Sequence, residues 1–144
     1  MIRLLDVNLL VAIVWPNHAV HSVALSWFEE HADEGWATCG VTESGLVRIS
    51  SNPVVFRSAV TPADAAALLV DLAEVGAHEF WTDDVSVSAS DLVPRERLVG
   101  YRQVTDAHLL GIARSHEGAL ATLDRGIATL AAGLNGAHVE VVGG

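Results

Sequence analysis

Short apolar stretches alternate along this chain with longer segments in which apolar residues recur every three or four positions. The short stretches occupy residues 2–5, 36–39, 79–81, 119–123 and 138–142. Each has the length of a buried strand, and the longer segments have the periodicity of helices that bury one face. Strands that alternate with helices form a mostly parallel sheet covered on both faces. The sequence therefore predicts an α/β fold with a central sheet flanked by helices.

Capping residues, glycines and prolines mark the predicted helices. Asp6 follows the first strand as an N-cap, Thr61 and Pro62 open a later helix, and Thr105 is predicted to cap another. The helices begin near residue 6 and otherwise cover residues 18–31, 41–49, 61–75, 106–115 and 127–130. The pattern is weaker over residues 78–100, where residues 83–91 favour a brief helix or a turn.

The size and composition of the chain limit its class. A chain of 144 residues suits one domain, which we expect to span residues 1–144. No apolar stretch approaches the roughly 18 to 20 residues that span a bilayer, and Asp6 interrupts any secretory signal. Cys39 is the only cysteine, which excludes an internal disulfide and a thiolate zinc cluster. We therefore expect a cytoplasmic protein without a membrane segment.

The charge of the chain is strongly acidic. The formal net charge is −10, and all eight basic side chains are arginines. This balance argues against a broad polyanion-binding surface, because such a surface binds by neutralising phosphates. Contact with nucleic acid must then be local, assisted by a metal ion or shared with another subunit. Arg48, Arg114 and Arg125 are candidates for phosphate or partner contact, with surface ion pairs as the alternative role of each.

Four acids lie where strands end or helices begin. Asp6 follows the first strand, Glu43 lies near the start of the helix after the second strand, and Asp106 and Asp124 occupy equivalent junctions later in the chain. Ligands of parallel sheets bind at the carboxyl ends of the strands, so we expect these acids to meet in one crevice. Clustered carboxylates without a cysteine or histidine set suit Mg²⁺ or Mn²⁺ better than zinc. A metal-activated water there suits phosphodiester hydrolysis.

The wording of these motifs resembles a known family. The sequences LLDVN at residues 4–8, TE at 42–43, TDA at 105–107 and TLDR at 122–125 are similar, in order and spacing, to the four acidic motifs of PIN-domain ribonucleases. The resemblance covers nearly the whole chain and is greatest to the VapC toxins of bacterial toxin–antitoxin pairs. It implies a PIN-like three-layer sandwich and a Mg²⁺- or Mn²⁺-dependent endoribonuclease, usually a homodimer, that a cognate VapB antitoxin holds inactive.

The resemblance also implies a role for each matched residue. Asp6 and Asp106 match the acids that bind metal most directly, and Glu43 and Asp124 match the acids that complete the site. Asn8 matches the polar residue that supports the first acid from behind the metal ligands. The implied substrate is RNA, in single strands or loops whose bases are accessible. The apolar faces of the predicted helices at 18–31 and 61–75 are the expected groove for the antitoxin.

Each motif alone also has a simpler interpretation. Asp6, Asp106 and Asp124 suit helix caps and turns, and Glu43 suits the solvated first turn of a helix. The same acids would serve a metal-dependent phosphatase or a DNA nuclease. A non-catalytic module that binds a basic peptide is a further alternative. Four acids in the family's order, on an alternating strand and helix pattern, favour the ribonuclease.

Overall fold

The five apolar stretches form the strands of one parallel sheet in the computed structural model, which describes residues 1–143. The strands are β1 (Arg3–Leu5), β2 (Trp36–Cys39), β3 (His78–Trp81), β4 (Ala119–Thr122) and β5 (Val139–Val141). Their order across the sheet is β3-β2-β1-β4-β5, and each neighbouring pair is parallel. The predicted α/β fold with a parallel central sheet is therefore confirmed.

Six α-helices cover the two faces of this sheet in the described part of the chain. They are α1 (Val7–Val14), α2 (His21–His31), α3 (Gly40–Ser50), α4 (Pro62–Leu72), α5 (Val104–Ser115) and α6 (Arg125–Ala131). Leu4 and Leu5 point to opposite faces of β1, and both are fully buried. Leu5 packs in the core with α1 and α2, whereas Leu4 packs in the core with α5 and α6. The result is the expected three-layer sandwich.

Some predicted helix boundaries are wrong. α2 begins at His21, because residues 16–20 form turns in which the His18 ring accepts a hydrogen bond from the Val20 N–H at 3.2 Å. α5 begins at Val104, so Thr105 lies in the first helical turn and is not the cap. α4 ends at Leu72 rather than at residue 75. Residues 83–91 contain turns and no helix. No helix within residues 1–143 is long and apolar enough to cross a bilayer.

A glycine brings α3 against α1. A Cβ added at Gly45 would lie 2.6 Å from Val7 Cγ2, a distance that side-chain carbons do not reach without displacement. Gly45 is fully enclosed and follows Glu43 by two residues, while Val7 follows Asp6 directly. The close approach of these two helices therefore brings the helix that carries Glu43 to the junction that carries Asp6.

Candidate metal centre

The connections of the sheet change direction at the central strand β1. From the central strand β1 the chain continues to β2 and β3 on one side, and it later returns to β4 and β5 on the other side. Ligands of open α/β sheets bind at such a switch point, outside the carboxyl ends of the strands. Asp6 directly follows β1, and Asp124 follows the neighbouring strand β4 by two residues. Two of the predicted site residues therefore flank the switch point.

Asp6 is a buried acid that caps a helix. Only 6% of the Asp6 residue is exposed. Its Oδ1 accepts a hydrogen bond from the Val7 N–H at 2.7 Å. Its Oδ2 accepts a second hydrogen bond from the Thr122 hydroxyl at 2.8 Å. Burial raises the pKa of Asp6, the two hydrogen bonds oppose that shift, and the charge of Asp124 adds to it. The capping role and the proposed site role thus belong to the same residue.

Thr122 links the two acids at the switch point. Its hydroxyl is fully buried at the end of β4, donates to Asp6 and accepts a hydrogen bond from the Asp124 N–H at 3.0 Å. The Asp124 side chain in turn caps α6 by accepting from the Gly126 N–H at 2.8 Å. Thr122 therefore fixes the orientation of the Asp6 carboxylate and the direction in which the chain leaves β4.

Asp106 joins this group from the opposite face of the sheet. It lies in the first turn of α5 and is partly buried. Burial, followed by the charges of Asp6 and then Asp124, raises the pKa of Asp106 to about 6. Burial is the largest cause of this shift, and the two further causes show that Asp106 lies close enough to Asp6 and Asp124 to interact with both charges. Asp6, Asp106 and Asp124 therefore form one electrostatic group.

Glu43 is held by a hydrogen bond from β2. Its Oε2 accepts a hydrogen bond from the Thr38 hydroxyl at 2.6 Å, and Thr38 Oγ1 also lies 2.8 Å from His78 Nε2. Among the described residues, the charges that raise the pKa of Asp6 and Asp106 do not include Glu43. Burial lowers the pKa of His78, while the charges of Glu43 and Glu79 act in the opposite direction. The structure therefore brings three of the four predicted acids together and holds the fourth against β2.

The donor atoms of the group suit a hard divalent cation. Three carboxylates supply oxygen ligands, and a cation would relieve the part of the Asp106 pKa shift that the charges of Asp6 and Asp124 cause. Residues 1–143 contain no set of three acidic, histidine or cysteine side chains already close enough to share one ion. The acids therefore fit Mg²⁺ or Mn²⁺ by their chemistry, although they are not gathered as a closed set of ligands.

Asp83 adds a fifth acid at this edge of the sheet, and sequence inspection missed it. Asp83 Oδ2 lies 2.8 Å from His108 Nε2 on α5, which connects the end of β3 to the helix that carries Asp106. Asp83, Val7, Gly40 and Arg48 line a cavity of about 500 Å³. The sequence DD at residues 83–84 is an ordinary solvated pair by composition. Only the packing of α5 against the end of β3 distinguishes Asp83.

The other predicted contact residues have different surroundings. Asn8 is exposed on α1 and, within residues 1–143, makes no hydrogen bond to Asp6, whose side-chain partner is Thr122. Arg48 and Arg125 are both exposed, and Arg48 lines the cavity beside Asp83. Arg114 is at the far end of α5 from Asp106, where it donates hydrogen bonds to the carbonyl oxygens of Leu92 and Asn135. The structure thus gives Arg114 a structural role.

Comparison with curated proteins decides the family. Ribonuclease VapC38 of Mycobacterium tuberculosis is 53% identical to this chain over 128 residues, which are 89% of each protein. This chain belongs to the VapC ribonuclease family. Ribonucleases VapC39 and VapC44 of the same species are 44% and 40% identical, with 89% and 91% of this chain covered. The alignments cover 92% of each of those two VapC proteins. No protein-family model matches the sequence.

Solved structures share the VapC fold. VapBC2 from Rickettsia felis, bound to a DNA fragment from their promoter, superposes with a TM-score of 0.66 over 99% of both chains at 13% identity. FitAB bound to the IR36 DNA fragment superposes with a TM-score of 0.58 over 98% of this chain and 94% of that chain, at 17% identity. At these identities the superpositions show the fold alone. They match the PIN-like three-layer sandwich expected from the resemblance.

Proposed function

We propose that this chain is a metal-dependent endoribonuclease that acts as the toxin of a toxin–antitoxin pair. One observation carries the proposal: Asp6, Asp106 and Asp124 meet as an electrostatic group at the switch point of a VapC-family fold. The relatives that share 40–53% of its sequence are named ribonucleases. A charged group of this kind, placed where α/β proteins bind ligands, is better suited to chemistry than to stability.

Mg²⁺ or Mn²⁺ is the cofactor that we propose for this group. Asp6, Asp106 and Asp124 would hold the ion, and Glu43 would complete the site from α3. Such an ion lowers the pKa of a water molecule and neutralises the charge that grows on a phosphodiester. The neutral fraction of Asp106 near pH 6 gives up its proton when a cation is present, since both compete for the same carboxylate.

The other side chains of the site orient these acids and the RNA. Thr122 and the Val7 N–H hold both oxygens of the Asp6 carboxylate in fixed directions. Arg48 and Arg125 present exposed guanidinium groups, which suit bidentate contacts with RNA phosphates. Local arginines of this kind would let an acidic protein bind RNA without a broad basic surface. The RNA is expected to be single-stranded or looped at the cleaved bond.

A cognate antitoxin is the partner that we propose. The two solved structures compared above are VapBC2 and FitAB, each bound to a DNA fragment. A groove of about 690 Å³ runs between α3 and α4, with Leu69 and Val70 on one wall and Glu43 and Arg48 on the other. An apolar groove beside a charged site suits an amphipathic segment of a partner. This groove includes α4, which is one of the two helices expected to form the antitoxin groove, together with α3.

We also propose that the protein forms a homodimer. A two-fold dimer would bring arginines from two chains to an acidic protein's RNA-binding surface. Tyr101 is 81% exposed and Val99 is 93% exposed, just before the helix that carries Asp106. Large exposed apolar side chains near a site favour a protein contact there. Size-exclusion chromatography with light scattering tests the mass directly.

An assay of three substrates tests the proposed reaction. The purified protein is incubated with single-stranded RNA, DNA of the same sequence and a small phosphate ester, each with Mg²⁺, with Mn²⁺ or with a chelator. We expect cleavage of RNA alone and loss of cleavage with the chelator. Activity on the ester alone would indicate a phosphatase, and equal cleavage of DNA would indicate a general nuclease. Either result contradicts the proposal.

A matched pair of variants tests the site. Asp6→Asn keeps an oxygen that can accept from the Val7 N–H, and asparagine is a good N-cap, so the fold should survive. RNA cleavage should fall by more than about 100-fold, the scale on which charged groups that stabilise a transition state act. Asp91→Asn removes an exposed carboxylate from a loop and serves as the control. Unchanged cleavage and growth inhibition by Asp6→Asn would support a non-catalytic interaction module instead.

A further inference from the structure

A buried hydroxyl connects Glu43 to an imidazole on the edge strand. Thr38 is 1% exposed on β2, and its Oγ1 lies 2.6 Å from Glu43 Oε2 and 2.8 Å from His78 Nε2. The three side chains come from α3, β2 and β3 in turn. This hydrogen-bonded chain is separate from the Thr122 link between Asp6 and Asp124.

The direction of each hydrogen bond follows from counting protons. A threonine hydroxyl has one proton, and a carboxylate can only accept, so the Thr38 proton is donated to Glu43. Thr38 Oγ1 must then accept from His78, which requires a proton on Nε2. The neutral Nε2–H tautomer and the imidazolium both satisfy this requirement. His78 therefore donates to Thr38, and Thr38 donates to Glu43, whatever the charge of the imidazole.

The imidazole is itself held in place. His78 is the first residue of β3 and pairs with Trp36 in the parallel ladder, so Thr38 lies on the same face two residues along β2. The indole of Trp36 packs on the ring of His78 with centroids 4.5 Å apart. The Trp36 Nε1–H donates to the Val75 carbonyl oxygen at 2.9 Å, which fixes the indole in turn. His78 therefore approaches Thr38 from a rigid support.

The hydrogen bonds that run from His78 through Thr38 constrain the Glu43 side chain, which otherwise has many conformations. Glutamate has three rotatable side-chain bonds, and Glu43 borders the open groove between α3 and α4. The hydrogen bond from Thr38 fixes Oε2 against the end of β2. Within residues 1–143 the other oxygen, Oε1, accepts no hydrogen bond, so it is the oxygen that the side chain presents to a ligand.

We propose that Thr38 and His78 are positioning residues, which hold the Glu43 carboxylate in one orientation as the fourth acid of the proposed metal centre. The inference rests on the proposed function, because it gives Glu43 its place in the reaction. Neither residue touches the substrate. Hydrogen bonds that polarise one another along a chain strengthen the last acceptor bond, here the bond to Glu43. Groups that orient ligands in this way typically affect metal affinity or activity by about 10–100-fold.

Two pairs of variants separate positioning from simple stability. Thr38→Val keeps the shape and removes the hydroxyl, whereas Thr38→Ser keeps the hydroxyl. His78→Leu removes the N–H donor, whereas His78→Gln places an amide N–H near the position of Nε2. Thr129→Val changes an exposed threonine on α6 and serves as the control. Mn²⁺ affinity by calorimetry, kcat and KM for RNA, and thermal unfolding are measured for each variant.

The expected pattern is specific to the hydrogen bonds. Thr38→Val and His78→Leu should weaken Mn²⁺ binding and lower kcat by about 10–100-fold, with KM changed far less. Thr38→Ser and His78→Gln should recover most of both quantities. Mn²⁺ affinity and kcat within twofold of the parent protein in Thr38→Val would overturn the inference. Equal losses in Thr38→Ser and Thr38→Val would also overturn it, since packing would then explain both.

A spectroscopic measurement on the metal-free protein keeps the inference testable if Thr38→Val does not fold or if RNA is not cleaved. Nitrogen-15 shifts of the His78 ring, assigned with His78→Gln, should show a proton on Nε2. Carbon relaxation of the Glu43 carboxyl should show a rigid group in the parent protein and a mobile one in His78→Leu. A proton on Nδ1 alone, or a mobile carboxyl in the parent protein, would contradict the inference. Absence of RNA cleavage alone would contradict only the proposed function.

Discussion

Thr122 donates its hydroxyl proton to Asp6 across 2.8 Å, although the two residues are 116 positions apart in the sequence. The bond joins the ends of two adjacent parallel strands, β1 and β4. It is buried, and it compensates part of the cost of enclosing the Asp6 carboxylate. The acid that looks misplaced among apolar residues in the sequence thus has a side-chain partner that only the folded sheet supplies.

Removal of the Thr122 hydroxyl should impair the site more than the fold. Thr122→Val leaves Asp6 Oδ2 and the Asp124 N–H without their partner. We expect RNA cleavage to fall by about 10–100-fold, the range found when groups behind metal ligands are removed. Thr122→Ser should retain most of the activity. Equal activity of the valine and serine variants, measured with Mn²⁺ present, would contradict an orienting role.

The metal-free protein should respond to pH through Asp106. The pKa of Asp106 is raised from 3.8 to about 6, so the folded state keeps this proton to a higher pH than the unfolded state does. The contribution of this group to stability therefore falls as pH rises through that window and is constant above it. Mn²⁺ replaces the proton, and its addition should raise Tm more at about pH 7.5 than at about pH 5. Asp106→Asn should remove most of this difference, as thermal unfolding at the two pH values would show.

An ion-pair network at the other end of the sheet should respond to acid with the opposite sign. Burial acts to raise the pKa of Glu140, but hydrogen bonds from Trp27 and Arg3 outweigh it and leave the pKa below its usual range. The stability that Glu140 contributes is present above its unfolded pKa and is lost as pH falls through the folded value. Because 35% of its side chain is exposed, Glu140→Gln should cost only about 0.5–1 kcal/mol near neutral pH. Denaturant unfolding should show this cost fading as pH falls below the unfolded pKa of 4.5 and through the lower folded value.

Substitution of Arg114 should lower the stability of the protein, whereas substitution of Arg125 should weaken RNA binding. Arg114→Gln removes hydrogen bonds to two backbone carbonyl oxygens and should destabilise the protein by about 1–3 kcal/mol. Arg125→Gln should leave Tm unchanged and weaken RNA binding, and the slope of log affinity against log salt should fall by about 0.7 for one lost phosphate contact. Arg57→Gln, in an exposed turn, is the control. An unchanged salt slope in Arg125→Gln would exclude that phosphate contact.

The features that could be predicted from the sequence are those that depend on neighbouring residues. The first strand, the cap at Asp6 and the helix start at Pro62 depend on neighbouring residues, and all three are present in the structure. Thr105 was a less reliable signal because a threonine suits both a cap and a first helical turn, and the short helical turn at residues 101–103 leads directly into α5. Capping preferences act over about one turn, so they indicate boundaries better than contacts.

The contacts of the site depended on register and packing, which the sequence does not state. Thr122 and Thr38 are ordinary strand residues in composition, and each gains its partner from the pairing of parallel strands. His78 reaches Thr38 because β3 pairs with β2 from Trp36 onwards. Asn8 was expected to support Asp6, but the helical geometry of α1 turns it to solvent. Acids at strand ends can therefore be predicted, whereas the hydroxyl groups that orient them cannot.

The order of the strands also governs when the site can exist during synthesis. β1 leaves the ribosome before its neighbour β4, and the residues Thr122 and Asp124 follow it by more than a hundred residues. At translation rates of about 5–20 residues per second, several seconds pass between the synthesis of Asp6 and that of Thr122 and Asp124. A nascent chain that carries Asp6 therefore lacks Asp106 and Asp124, two of the three acids of the group, until about a hundred more residues are made. The parallel pairing of β1 with β4 thus delays assembly of the acidic group during synthesis.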